Sequence, residues 1–173
     1  MILLTGDSQT LTHEGQYVLV NKILDYTESR NVKMVITIDG YISWVEEAKP
    51  KVICVSTNPQ LLRKMLETGT KLGPSGIPII GITGLTLGLA KFRKIDAACL
   101  LGETMGHMPD PKAAKEVLRV LNNFMGLNID LTLLDKEIEK AKVISTKIKD
   151  AQINIEDVLK EQLNKYEKVT YIS

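Results

Sequence analysis

The chain has 173 residues, of which 44% are hydrophobic and 25% are charged, and its formal net charge is +1. This composition is typical of a folded globular protein and excludes a chain that is disordered throughout. The balanced charge shows neither the basic excess nor the basic stripe that nucleic-acid binders usually carry, and no apolar run reaches the roughly 18 residues of a membrane span. The N-terminus has no basic start and no cleavage-like site, so we expect no signal peptide.

Strand-like and helix-like segments alternate along most of the chain. Because the strands read as continuous apolar runs, they suit a sheet that is covered on both faces. The pattern therefore predicts an α/β domain over residues 1–128, with a mainly parallel sheet flanked by helices. Asp39 and Gly40 are expected to end the second strand. The predicted strands are residues 2–4, 32–40, 51–58 and 96–102, and the predicted helices are residues 14–30, 59–68, 81–94 and 111–125.

Two helix starts carry the same signal, a capping side chain followed by proline. Asn58 precedes Pro59, and Asp110 precedes Pro111. The short polar side chain accepts backbone N–H groups of the first turn, and proline is well tolerated at the first helical position. Gly126 is a typical residue for the end of the second of these helices.

Three glycines, Gly81, Gly84 and Gly88, fall on one face of the predicted helix 81–94. Each costs helix stability, about 1 kcal/mol relative to alanine. Several on one face indicate that the backbone approaches something closely, such as a sheet or a second helix. A phosphate-binding loop is the functional alternative, but neither the dinucleotide-binding fingerprint nor the P-loop motif occurs. We therefore predict close packing.

The two cysteines, Cys54 and Cys99, lie in apolar strand-like runs. No histidine or acidic residue stands at metal-ligand spacing around them, and two cysteines do not make a disulfide framework. We expect reduced, structural thiols in a cytoplasmic protein, with no metal and no cofactor.

Residues 129–173 differ in character from the rest. From Leu131 a mainly apolar stripe, which also contains Ser145, Gln152 and Gln162, recurs in alternating steps of three and four, which is heptad spacing. Eight lysines and eight acidic residues lie between Asp135 and Lys168, so the segment is no basic arm. We predict an amphipathic helical extension, formed of one helix or two. We favour packing of this extension against another subunit, with docking on its own domain as the alternative.

A cluster of polar residues and glycines follows the strand 96–102. An acid–base or metal site is one interpretation, since ligands bind at the carboxyl ends of strands in open α/β sheets. The other is structural: Asp110 caps a helix, and Glu103 accepts backbone N–H bonds or pairs with an arginine. Because no nucleophile elbow and no paired His or Cys motif occurs, we assign no catalytic residue. The residues of this segment, whose role stays open, are Gly102, Glu103, Thr104, Gly106, His107 and Asp110.

Several stretches resemble the archaeal proteasome assembly chaperone family. They include "ILLTGDSQTLTHEGQY", "VKMVITIDGY", "IIGITGLTLGLAKFRKIDAACLLGETMG" and "PDPKAAKEVLRVL". The resemblance runs in register from about Ile2 to Leu134. Its most specific part is residues 81–121, where a glycine-spaced helix, a strand, Gly-Glu-Thr and Pro-Asp-Pro-Lys-Ala-Ala follow in order.

The resemblance implies a fold similar to that of purine nucleoside phosphorylases and a non-enzymatic role. The better understood members of the family are ATP-independent homo-oligomers that bind proteasome α subunits or the α ring. From the balanced charge and the lack of a long apolar run we expect no nucleic acid and no membrane partner. Some use a C-terminal tail that ends in a hydrophobic residue, a tyrosine and any residue. Here Tyr171 stands third from the end and Ile172 holds the tyrosine position before Ser173, so these three residues fit the tail motif only in part.

The family usually carries a further N-terminal stretch with a glycine-rich strand–loop–helix, and this chain begins near where that stretch ends. We therefore expect either a natural short form or a portion of a longer protein, with a sheet edge left exposed. Two alternative functions stay open. One is an enzyme of nucleoside or nucleotide chemistry, which rests on fold analogy alone. The other is an oligomeric scaffold with an unrelated partner.

Overall fold

The structure is a computed structural model that describes residues 1–44, 49–74, 76, 78–106 and 108–169. Within residues 149–169 it describes the side chains of Ile155, Leu159 and Lys160 only. The chain divides into two compact units, Met1–Asp130 and Leu131–Ser173.

The first unit contains, in its described part, a sheet of four strands in the order β1-β4-β2-β3. β1 pairs in parallel with β4, and β2 pairs in parallel with β3, whereas β2 and β4 are antiparallel. The predicted α/β class with a mainly parallel sheet is confirmed, and the antiparallel pair was not predicted. The elements are α1 (His13–Ser29), β1 (Met34–Ile42), β2 (Val52–Ser56), α2 (Pro59–Glu67), β3 (Lys71–Leu72), α3 (Gly81–Phe92), β4 (Asp96–Thr104) and α4 (Pro111–Met125).

The two faces of the sheet bury two separate apolar cores. On one face α3 packs on β4 and β1, and α1 packs on α3, so that Leu24 and Cys99 belong to one cluster. On the other face α2 and α4 cover β2 and β4, and Met65 and Leu100 belong to the second cluster. Residues 97–101 of β4 are at most 8% exposed. The central strand thus contributes side chains to both cores.

Both predicted proline-initiated helices are confirmed. The Oδ1 atom of Asn58 accepts the backbone N–H groups of Gln60 at 2.8 Å and Leu61 at 3.3 Å. Pro59 occupies the first helical position of α2, so no donor is left unsatisfied there. At the end of α4, Gly126 adopts the left-handed conformation, with φ of 63°, that commonly ends helices.

A polar network joins α1 to the end of α3. The guanidinium of Arg93 donates to Asn21 Oδ1 at 2.7 Å, to Glu28 Oε2 at 2.9 Å and to the carboxylate of Asp25. The two carboxylates are largely exposed, so each pair contributes little by itself. Their convergence on one arginine fixes how α1 lies against α3.

One predicted strand is absent, and another extends beyond its predicted end. The predicted strand 2–4 does not form, and Leu3 is 83% exposed. β1 continues through Asp39 and Gly40 to Ile42, because each of these residues pairs with β4 in register. The carboxylate of Asp39 accepts the N–H of Gly40 at 2.8 Å, which is compatible with the extended strand.

The glycine face of α3 is only partly explained by close packing. A Cβ atom at Gly84 would lie 1.9 Å from the carbonyl oxygen of Ile79, and one at Gly81 would lie 2.5 Å from the side-chain oxygen of Gln9. The close neighbours are therefore loop residues and not a sheet or a second helix. At Gly88 no atom lies within 4 Å of such a Cβ, so the prediction was wrong for this residue.

The second unit contains one described helix, α5 (Thr132–Val169), where one helix or two were expected. Pairs three residues apart link Glu137 to Lys140 at 2.7 Å and Glu139 to Lys142. Its exposed apolar side chains include Leu133, Val143, Ile144, Ile148, Ile155 and Leu159. No helix in the described part of the chain is both long and apolar enough to cross a lipid bilayer.

The contrast between Gly84 and Gly88 predicts opposite effects of the same substitution. Gly84→Ala should lower the free energy of unfolding by about 1–3 kcal/mol, because the methyl group collides with a backbone carbonyl. Gly88→Ala meets open space and should raise it by up to about 1 kcal/mol, the helix propensity of alanine over glycine. Urea unfolding followed by circular dichroism measures both, and equal effects would contradict the packing described here.

Candidate functional site

The predicted 102–110 segment lies where β4 ends and the chain turns into α4. Gly102, at the start of the segment, lies under this helix. A Cβ atom at this position would be 3.1 Å from the Cγ2 atom of Val117 and 3.4 Å from the Cβ atom of Ala113. Glycine therefore lets α4 approach the central strand.

Glu103 and Thr104 bind backbone groups of neighbouring segments. The Oε2 atom of Glu103 accepts the N–H of Lys51 at 3.1 Å, and the N–H of Glu103 donates to the carbonyl of Lys51 at 2.9 Å. The hydroxyl of Thr104 accepts the N–H of Gly106 at 3.2 Å. The backbone carbonyl of Thr104 accepts the N–H of Ser43 at 2.9 Å. Glu103 therefore fastens β4 to the chain that leads into β2.

The remaining described residues of the segment shape the turn into α4. Gly106 has a φ of +75°, and a Cβ atom there would lie 3.0 Å from the side chain of Ile42. The Oδ1 atom of Asp110 accepts the N–H groups of Lys112 and Ala113, both at 3.0 Å, so Asp110 is the N-cap of α4. His107 lies outside the described residues, as does the tail Tyr171, Ile172 and Ser173.

The geometry of the segment is thus that of a structural connection. Glu103 and Asp110 each accept hydrogen bonds from the backbone rather than facing one another. No three His, Cys, Asp or Glu side chains in the described part of the chain lie close enough together to hold a metal ion. No described residue of the segment has the arrangement of base and orienting partner that acid–base catalysis needs.

The two cysteines lie in different cores and are both fully buried. Cys54 belongs to the α2–α4 side of the sheet and Cys99 to the α1–α3 side. Burial raises the pKa of the Cys54 thiol to about 12, with a further contribution from Cys99. Burial also raises the pKa of Cys99 to about 11, although the hydroxyl of Thr37 acts in the opposite direction. Both thiols are therefore protonated at neutral pH and poorly nucleophilic.

A second set of polar groups lies at the start of β4, at the other end of the strand from the 102–110 segment. Because β2 is antiparallel to β4, the end of β2 lies beside the start of β4. The hydroxyl of Thr57 accepts the N–H of Ala97 at 3.1 Å, and the side-chain amide of Asn58 donates to Asp96 Oδ1 at 2.9 Å. These bonds fix the turn between β2 and α2 against the central strand.

A cleft of about 700 Å³ opens beside the start of β4. Three of its lining side chains, Arg63, Lys91 and Lys94, are cationic and exposed, and no carboxylate in the described residues pairs with them. The one acidic residue in the lining, Asp96, already accepts a hydrogen bond from Asn58. We refer to this surface as the basic cleft. Its lining is Thr57, Asn58, Pro59, Gln60, Arg63, Lys91, Lys94, Ile95 and Asp96.

Sequence reasoning missed the basic cleft. Its cations come from α2 and from the end of α3, which are about thirty residues apart in the chain. No motif connects them, and only the antiparallel pairing of β2 with β4 brings the two stretches together.

Comparisons with known proteins identify relatives over most of the chain. Residues 1–149 match the model of the PAC2 family. An uncharacterised protein of Methanocaldococcus jannaschii is 31% identical over 149 residues, which are 86% of this chain and 58% of the relative. A second uncharacterised protein of that organism is 28% identical over 132 residues, 76% of this chain and 52% of the relative. The chain thus spans little more than half the length of these curated relatives.

Solved structures from Pyrococcus furiosus share the fold. PbaB, described as an archaeal proteasome activator, superposes with a TM-score of 0.77 at 30% identity, over 83% of this chain and 63% of PbaB. PbaA, described as an archaeal homologue of proteasome-assembly chaperone, superposes with a TM-score of 0.73 at 26% identity, over 95% of this chain and 67% of PbaA. These matches confirm the resemblance to archaeal proteasome assembly chaperones that the sequence indicated.

The N-cap of α4 leads to a stability prediction. Asp110→Ala should lower the free energy of unfolding by about 1 kcal/mol, because two N–H groups of the first helical turn lose their acceptor. Asp110→Asn keeps an acceptor oxygen and is the matched control, with a loss of no more than a few tenths of a kcal/mol. Chemical unfolding of the three proteins distinguishes these outcomes. Equal losses in the two variants would show that the cap is not the source.

The buried thiols predict a specific loss of stability in alkaline solution. The thiols of the unfolded chain ionise near pH 8.5, whereas the folded-state pKa values are about 11 and about 12. Their contribution to stability is therefore complete below about pH 8.5 and is lost as pH rises towards the folded-state values, by up to about 1.4 kcal/mol per pH unit for each thiol.

The double variant Cys54→Ala/Cys99→Ala is the control for this titration. It loses some stability at every pH because two buried sulfur atoms are removed. The difference in unfolding free energy between it and the wild type should narrow from pH 8 to pH 10. A constant difference across that interval would contradict the raised pKa values.

Proposed function

Because this chain belongs to the PAC2 family, we propose that it is a proteasome assembly chaperone or adaptor that binds proteasome α subunits or the α ring. The observation that carries the proposal is the similarity to PbaB and PbaA, which extends over most of the chain at identities of 30% and 26%. Neither similarity depends on a short motif, since they cover 83% and 95% of this chain. The proposed location is the cytoplasm.

A non-enzymatic role is part of the proposal, and the bonding of the 102–110 segment supports it. Glu103 accepts from the backbone of Lys51, and Asp110 caps α4. Both carboxylates are therefore used in holding the fold. The same bonding disfavours a nucleoside- or nucleotide-processing site at this position, which would require polar groups that converge on a ligand. Binding and release would then proceed without ATP.

Homo-oligomerisation through the C-terminal segment is a further part of the proposal. The exposed apolar residues of α5 include Leu133, Ile144 and Ile148. A charged helix with so many exposed apolar side chains is typical of one that packs against a second helix. We propose residues 1–128 as the domain that contacts the proteasome subunits and residues 129–173 as the segment that joins copies of the chain.

The C-terminal residues are proposed as a second contact with the α ring. The family motif places tyrosine next to last, whereas this chain has Tyr171 before Ile172 and Ser173. A tail of this sequence lacks the phenol hydroxyl at the position where the motif supplies an anchor. The tail contact is therefore proposed as weaker than the contact of the folded domain.

Recombinant α subunits of the same organism test the proposal by pull-down. The full chain should retain free α subunits or assembled rings, and addition or removal of ATP should not change the amount retained. Failure to retain either form would overturn the proposed function. Light scattering of the chain alone, which should give a mass above that of one 19.2 kDa subunit, tests the oligomer separately.

The tail contact predicts a gain of binding from one substitution. Ile172→Tyr restores the motif and should strengthen retention of assembled rings, by roughly 2- to 13-fold for one added hydrogen bond. Thr170→Tyr adds the same side chain outside the motif position and should leave retention unchanged. If both variants and a deletion of residues 171–173 bind as the wild type does, the tail does not dock.

A further inference from the structure

The basic cleft concentrates charge in a chain that is otherwise nearly neutral. Three cations line it against one carboxylate, whereas the whole chain has a net charge of +1. The carboxylate of Asp96 accepts from Asn58, and no acidic side chain among the described residues pairs with Arg63, Lys91 or Lys94. Unpaired surface cations are common singly. A group of three around one concave surface produces a local positive potential.

Lys94, one of these three cations, has a backbone conformation that is uncommon for lysine. Lys94 has a φ of +57°, in the left-handed region, where residues with a Cβ atom are disfavoured. It lies just past the end of α3, where the N–H of Ile95 donates to the carbonyl of Ala90 at 3.0 Å. Glycine is the usual residue in such a helix-ending turn. From this turn Lys94 contributes to the lining of the basic cleft.

We propose that the basic cleft binds an acidic segment of a protein partner. Its three cations are exposed, whereas sites for small molecules bury most of their ligand. Exposed charge clusters of this kind orient and attract protein partners. The exposed ring of Pro59 and the amide of Gln60 add apolar and hydrogen-bonding contacts along the same surface. The carboxylates of the partner pair with Arg63, Lys91 and Lys94.

The identity of that partner as a proteasome α subunit rests on the proposed function, whereas the recognition of carboxylates by the basic cleft does not. The two are therefore tested separately. A fluorescein-labelled polyglutamate peptide serves as the probe for the basic cleft, and its binding to the full chain is followed by fluorescence anisotropy.

The decisive variant reverses the three charges, Arg63→Glu/Lys91→Glu/Lys94→Glu. It should bind the peptide at least about 10-fold more weakly than the wild type. The matched control reverses three exposed lysines outside the lining, Lys22→Glu/Lys71→Glu/Lys136→Glu. Both variants have the same net charge, so a loss confined to the first locates the binding at the cleft. Wild-type affinity should also fall as salt is raised from about 50 mM to about 300 mM.

Equal losses in the two triple variants would overturn the proposal, because they would show a general effect of net charge. Tighter binding of a single-stranded oligothymidylate than of the peptide would also overturn it, since the cleft would then prefer phosphates of nucleic acid. The absence of peptide binding by the wild type at low salt would have the same meaning.

Lys94→Gly separates a structural role of Lys94 from a binding role. Glycine relieves the left-handed backbone, so the melting temperature should rise by about 2–4 °C. The same variant should bind the peptide several-fold more weakly, because one of the three cations is lost. A gain of stability with unchanged binding would show that Lys94 takes no part, and the proposal in this form would fail.

Pull-down of α subunits with the two triple variants then connects the basic cleft to the proposed function. Loss of retention in the cleft variant alone identifies the α subunit as the acidic partner. Retention of α subunits by the cleft variant at the wild-type level refutes that assignment and leaves the proposed function intact. If the wild type binds the peptide but no α subunit, the proposed function fails and the basic cleft stands.

Discussion

The burial of the central strand β4 between two layers of helices is the constraint on which the first unit depends. Residues 97–101 are nearly inaccessible to solvent, and their side chains alternate between the α1–α3 core and the α2–α4 core. Gly102 continues this close packing, since a Cβ atom at this position would press against Val117 of α4. Small residues along β4 let both layers approach, and the polar segment that follows is placed by that packing. The carboxylates of that segment accept backbone N–H groups, and these hydrogen bonds hold the chain at the border of the buried core.

Local signals predicted those parts of the fold in which the decisive contacts lie within a few residues. The caps Asn58 and Asp110 bind N–H groups two and three residues ahead, so their pattern is visible in the sequence. The strand at 2–4 failed for the opposite reason. A strand needs a pairing partner, and its apolar composition does not show whether one is present. The prediction for Gly88 was wrong because nothing in its neighbourhood requires the absence of a side chain.

The candidate sites show the same division between local and distant contacts. A structural role of Glu103 was predicted as one alternative. Its partner Lys51 was not predicted, because it lies 52 residues away in the chain. The basic cleft was missed altogether, since its cations meet only because β2 runs antiparallel to β4. An alternation of strands and helices predicts a parallel arrangement by default. The single reversal within the sheet is thus the feature that sequence periodicity did not reveal, and it determines which loops are neighbours.

The length of β4 also has a consequence for how the surface can change in evolution. The 102–110 segment and the basic cleft lie at opposite ends of β4, which at nine residues is roughly 26 Å long. Substitutions separated by more than about 7–10 Å and without shared partners have additive effects on free energy. Variation at one end therefore imposes no correlated requirement at the other. Substitutions at the two ends of β4 therefore have independent effects on stability, and one surface is able to evolve while the other stays unchanged.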